Sequence, residues 1–144
     1  MNENQKNIHN MDSVTSSQSS QVTSRPSIFR TLEQVKEQVE YRHFARVIKT
    51  TGYEHIDPLI DELCLIVAEV LVRPPESKMR IRGAEIETAI VQEVYGALRY
   101  EHIEMVYNNF QALCTHVYNK SAYLQTALYN SVFEINANDV NGGL

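Results

Sequence analysis

Residues 57–75 read DPLIDELCLIVAEVLVRPP, and this stretch decides the fold. Asp57 supplies a side-chain oxygen suited to a helix N-cap, and Pro58 fits the first helical position, where a missing N–H costs nothing. Leu59, Leu63, Ile66, Val67, Val70 and Leu71 then recur at spacings of three and four, a wide apolar stripe. Asp61, Glu62 and Glu69 lie mostly off that stripe. Pro74-Pro75 ends the helix, because proline has no N–H to donate and clashes with the preceding turn. A helix this apolar has to be covered by others.

Similar faces flank it. Upstream, Thr31 is expected to cap a helix carrying Leu32, Val35 and Val39, continuing with a break through Tyr41 and Phe44 to Val47 and Ile48. Thr50, Thr51 and Gly52 make a connection. Downstream, a third helix carries Ile86, Ala89, Ile90, Val94, Ala97 and Leu98. A fourth, from about Tyr100, carries Ile103, Val106, Tyr107, Phe110 and Leu113, and a fifth, from about Asn119, carries Tyr123, Leu124, Ala127 and Leu128. Between Pro75 and Gly83, Lys-Met-Arg-Ile-Arg alternates basic and apolar residues, the period of an extended segment. The expected fold class is therefore all-α: a small bundle of four to five helices with one short extended segment at about 78–82. Residues 1–27, rich in Asn, Gln, Ser and Thr, have too little apolar area to offset their ordering entropy and are expected to be a disordered tail or linker. The folded part is placed at 28–133, with 134–144 a frayed C-terminus.

Charge is unevenly spread. Of a net −5, residues 1–27 and 28–82 each sum to zero, and residues 83–144 hold Arg99 and Lys120 against seven acids, 2 − 7 = −5. Phosphate backbones repel such a surface, which argues against a nucleic-acid footprint along the whole chain. The N-terminus has no apolar signal region, and no apolar run approaches the roughly 18–20 residues of a membrane span, so a soluble, cytoplasmic protein is expected. The two cysteines, Cys64 and Cys114, fall in apolar helical patterns and read as buried thiols of a reducing compartment.

Motifs for chemistry are scarce. The five histidines include no i, i+4 pair, and Cys114 and His116, two residues apart, point to different faces of a helix. No metal site and no cofactor is expected. None of the five glycines begins a phosphate-binding loop, and no nucleophile elbow is present. The acidic pairs Glu85/Glu87 and Glu101/Glu104 sit at expected helix starts, where they favour the positive end of the dipole. The reading is a non-catalytic domain with no small-molecule substrate. Two features remain. Arg73, Lys78, Arg80 and Arg82 place four cations within ten residues, opposed by Glu76. They are candidates for contact with a partner or with phosphate, or else a solvated edge protected from unwanted pairing. There are eight tyrosines and no tryptophan. Tyr123 and Tyr129 are interface candidates, set against the alternative that they pack between helices.

Residues 79–130 carry a resemblance. Met79-Arg80-Ile81-Arg82-Gly83, then His102-Ile103-Glu104-Met105-Val106, then the block from Asn119 to Asn130 (NKSAYLQTALYN) resemble, in order and spacing, the C-terminal domain of replication initiator protein A from plasmids and mobile elements of Firmicutes. The likeness extends upstream to about residue 35. Ser121 stands where that family often has a basic residue, and the proline that usually follows the equivalent of Asn130 is missing. The resemblance implies a helical fold similar to DnaD-type replication domains. It also implies a role in recruiting host replication proteins, primase or helicase-loading components, to an origin. In that family a separate winged-helix domain binds the origin, and residues 1–27 are not expected to form one. The alternatives are a helical domain binding DNA non-specifically through the basic segment, and a vestigial initiator fragment with no partner.

Overall fold

Asp57 does cap the helix that begins at Pro58: its Oδ1 accepts the Leu59 N–H at 2.9 Å. The computed structural model describes residues 27–142, with side chains as far as 135. Of the tail expected over residues 1–27, positions 1–26 lie outside the described residues, and Ser27 belongs to the start of the first helix.

The first helix, α1, is Ile28–Gln38. Ser27 caps it, accepting from Phe29 N–H, and not Thr31 as the sequence suggested. Thr31 lies one turn inside, buried, with its N–H on the Ser27 carbonyl at 3.0 Å. Ser27 offers the same kind of acceptor one turn earlier, so the helix starts there. Val35 and Val39 enter the core as expected. The chain then breaks at Glu40, whose φ of 56° is left-handed, and makes one short 3-10 turn, Tyr41–Phe44.

The expected helical continuation to Ile48 is replaced by an antiparallel ribbon of β1 (Arg46–Val47) and β2 (Glu54–His55). Val47 and Ile48 are exposed and do not join the core. Their spacing from Phe44 imitated a helical period, while Thr50-Thr51-Gly52 supplied a turn, with Gly52 at φ 71°.

The central helix is α2, Pro58–Leu71. Leu63, Cys64, Val67 and Ala68 have no exposure, and Ile60, Ile66 and Val70 little. It packs against α1, against α3 (Thr88–Tyr95), α4 (Tyr100–Gln111) and α5 (Lys120–Gly142). After the prolines, β3 (Lys78–Ile81) pairs antiparallel with β4 (Ala84–Glu87), Met79 opposite Ile86 and Arg80 opposite Glu85. Arg82 and Gly83, with φ of 57° and 77°, form the two-residue turn, as a tight hairpin requires. The extended segment at 78–82 is thus one arm of a hairpin. Ile86, Glu85 and Glu87, assigned from sequence to the start of a helix, belong to its other arm. With two ribbons among the described residues, the fold is mostly helical, with five α-helices, and not strictly all-α.

α3 stops at Tyr95, yet Leu98 beyond it is fully buried. α4 ends at Gln111, leaving Leu113 and Cys114 in the connection 112–119, where the Cys114 thiol is exposed. The expectation of two buried thiols therefore holds only for Cys64, which burial pushes up to about 12. α5 starts as expected: Asn119 Oδ1 accepts the Ala122 N–H at 3.0 Å. Its backbone continues past 133 to Gly142.

Candidate interaction face

The β3–β4 hairpin displays the basic segment. Met79 and Ile81 are buried under it, while Lys78 and Arg80 are exposed on the outer side, matching the alternation in the sequence. Register then places Glu87 across from Lys78 and Glu85 across from Arg80. Cross-strand partners share a face, so acids interleave this row of cations. Arg73 lies apart from the tip. It follows α2 at the base of the hairpin, and its carbonyl accepts from Gln92 at 2.9 Å. Four strand residues separate base and tip, roughly 13 Å of chain.

At the tip the cations diverge in role. Arg80 folds back to donate to its own turn, Nη2 to the Gly83 carbonyl at 2.9 Å. Arg82 reaches across to α5: its Nε donates to Asn130 Oδ1 at 2.7 Å, and its guanidinium lies 5.7 Å from the centre of the Tyr129 ring. Tyr129 in turn tilts against Phe133, centroids 5.3 Å apart, and Phe133 is 48% exposed. The structure thus brings Arg82, Tyr129 and Phe133 into one surface cluster with Arg80 beside it. Phe133 was missed from the sequence. Its signal was the spacing of four from Tyr129, which places the two on one side of a helix.

Tyr123 belongs elsewhere. Six residues before Tyr129 on the same helix, it turns toward α4 and meets Phe110 at 6.0 Å between centroids. Lys120 lies over the Phe110 ring, its ammonium 5.4 Å from the ring centre and 2.8 Å from Glu62. Tyr123 is 37% exposed and serves the α4–α5 seam. The remaining tyrosines mostly bind elements together. Tyr95 is fully buried, with its hydroxyl donating to the Gln125 carbonyl at 2.8 Å. Tyr107 donates to Asp57 Oδ2 at 2.9 Å, joining α4 to the cap of α2. Tyr100 stacks on Phe44 at 4.4 Å and donates to Glu104.

Polar groups also gather near the start of α2. Arg46, His55, Asp57, Glu104 and Tyr107 line a cavity of about 110 Å³. The Asp57 carboxylate there is held below its usual range by the Leu59 N–H and the Tyr107 hydroxyl. Both its oxygens are engaged in structural bonds. Among the described residues, no group of three or more His, Cys, Asp or Glu side chains is arranged to hold a metal ion.

A family model matches residues 6–140, nearly the whole chain. The chain belongs to a family of unknown function (DUF6017). No curated protein and no solved structure matches it. The match takes in both the polar stretch from residue 6 and nearly all of the folded body. Among the described residues no helix is long and apolar enough to cross a membrane.

Proposed function

We propose that this chain is a non-catalytic interaction domain of plasmid or mobile-element replication initiation, acting in the cytoplasm to recruit a host primase or helicase-loading protein. One observation carries the reading. Two of the three sequence blocks that carry the resemblance to replication initiator protein A, Met79–Gly83 and the more specific Asn119–Asn130, meet in space through Arg82, Asn130 and Tyr129. Their meeting point is a surface where an arginine and two aromatic rings lie together. Arginine and aromatic side chains supply most binding hot spots, because they combine apolar area with directional contacts. The family assignment names no activity, so the replication setting rests on the resemblance.

The alternative of DNA binding through Lys78, Arg80 and Arg82 is disfavoured by the same geometry. Glu85 and Glu87 interleave two of these cations, and the third is engaged by Asn130.

The test uses the full chain against purified primase and purified helicase-loading protein, with affinity measured by biolayer interferometry. Phe133→Ser and Arg80→Gln are expected to weaken binding about tenfold or more with the helical circular dichroism spectrum retained. Arg82 is unsuitable for this purpose because it also holds the hairpin to α5. A wild-type chain that binds neither protein, or variants that bind as wild type does, would overturn the proposal.

A further inference from the structure

The β1–β2 ribbon stands off the body. Every residue from Arg46 to His55 is exposed, including Val47 at 61% and Tyr53 at 74%. An exposed two-stranded ribbon with apolar side chains is a liability unless something uses it. Its register is fixed: Arg46 opposes His55, Val47 opposes Glu54, and the Ile48 N–H donates to the Tyr53 carbonyl at 2.8 Å. Side chains alternate along each strand, so Arg46, His55, Ile48 and Tyr53 share one face, and Val47 and Glu54 the other. Arg46 is steadied by its Nη1, which donates to the carbonyls of His43 and Ala45 at 3.3 and 3.2 Å. Beside the ribbon's base, a groove of about 350 Å³ is lined by Arg42, Glu54 and His55.

This surface is locally basic. Residues 41–55 hold Arg42, Arg46 and Lys49 against Glu54, 3 − 1 = +2, in a chain of net −5. All three cations are exposed. Unlike Tyr41, Tyr95, Tyr100 and Tyr107, Tyr53 has no hydroxyl partner and no ring contact among the described residues. It is a free aromatic face set among cations.

We infer that the ribbon is a contact surface for single-stranded nucleic acid, with Tyr53 stacking on a base while Arg42, Arg46 and Lys49 take phosphates. Base stacking on an exposed aromatic beside a basic track is how strands are held without sequence preference. A duplex hides its base faces and offers Tyr53 nothing to stack on. An acidic peptide satisfies the cations and leaves the ring without a flat partner. Asp57 and Glu104 line the deeper cavity beside Arg46 and keep phosphate out of it, so the strand runs along the outer side of the ribbon, meeting Arg42, Arg46 and Lys49. This surface is built from residues other than the Arg82–Tyr129–Phe133 cluster, and either assignment can fail without the other.

The experiment is fluorescence anisotropy of a labelled oligothymidine, about 20 nucleotides long, titrated with the full chain over a range of salt. A plot of log affinity against log salt is expected to have a slope of about −2, three cations at about 0.7 each, reduced by about 0.7 in Lys49→Gln. Tyr53→Ala is expected to weaken binding about tenfold and Tyr53→Phe to preserve it. Arg30→Gln, at an exposed position on α1, is the control and leaves affinity unchanged. Circular dichroism melting of each variant is expected to match wild type, since these side chains contribute nothing to the core. Three results would each overturn the inference: no binding at low salt, equal binding of duplex and single strand regardless of Tyr53, or poly-glutamate competing better than oligothymidine.

Discussion

At the residue scale, Asp57 bears on more than its own helix. One oxygen caps α2 and the other accepts the Tyr107 hydroxyl from α4. Both bonds favour the ionised form, which is why its pKa falls below the ordinary 3.8. A carboxyl with a lowered folded-state pKa contributes stability that is fully present above the unfolded value and lost as pH falls through the folded one. Asp57→Ala is therefore expected to cost about 1–2 kcal/mol near neutral pH. The gap from wild type should narrow below about pH 4. Urea unfolding at neutral pH and at about pH 3 checks this, and a gap that stays constant would mean the carboxylate charge is irrelevant. The cap was legible because it is local: Asp-Pro before an apolar run has one good reading. The Tyr107 bond was not, since the two residues lie 50 apart in sequence and nothing in either neighbourhood marks the other.

At the element scale, helix ends without local caps are closed from a distance by two glutamines. Gln92 on α3 donates its side-chain amide to the carbonyls of Val70 and Arg73, at 3.0 and 2.9 Å, where α2 runs out before the prolines. Gln38 at the end of α1 does the same for α3, reaching the carbonyls of Tyr95 and Leu98 at 3.1 and 2.8 Å. The Val70 and Tyr95 carbonyls also accept the Arg73 and Leu98 N–H groups, at 3.2 and 3.1 Å, and Leu98 also accepts from Arg99, so the glutamine amides add a second donor there and give the Arg73 carbonyl its own. Gln92→Leu preserves much of the side-chain volume while removing the donor, and is expected to cost about 1–3 kcal/mol, read as a lower midpoint in chemical denaturation. Gln92→Glu should cost at least as much, because its carboxylate faces the carbonyls with no hydrogen to offer. If either variant is as stable as wild type, water closes the helix end equally well. The same scale explains where the sequence misled. Apolar periodicity located all five helices, because each buries one face. It failed at residues 44–48 and 84–87, where β-branched and alternating residues sit in ribbons too short to impose a period of their own. Neither ribbon's turn was read as a hairpin, although Gly52 and Gly83 marked both.

At the scale of the whole molecule, the question is what fixes the β3–β4 hairpin to the helical body, since the candidate interaction face exists only while it is fixed. Buried Met79 and Ile81 anchor its underside, and Arg82 anchors its tip to α5. From sequence the basic segment read as a row of equivalent cations. The separation came from tertiary contacts, with acids from β4 opposite two of them and Asn130, 48 residues away, holding the third. Arg82 adopts a left-handed φ of 57°, where Asn or Gly is preferred at a hairpin turn. Its place there sets about 1 kcal/mol of backbone strain against the contacts its long side chain makes. Two substitutions separate these terms. Arg82→Ala retains the strain and loses the contacts, so it is expected to destabilise by about 1 kcal/mol. Arg82→Asn loses the same contacts but suits the turn, so its stability should stay close to wild type. Pairing each with Asn130→Ala in a double-mutant cycle shows whether the effect passes through the bond to α5. The cycle built on Arg82→Ala should give a coupling of about 0.5–1 kcal/mol. In the Arg82→Asn background, Asn130→Ala should cost nothing further, since the shorter amide does not span the gap. If Arg82→Asn proves as damaging as Arg82→Ala, turn strain contributes little. The arginine would then be needed for its reach alone, and the hairpin would depend on α5 for its position.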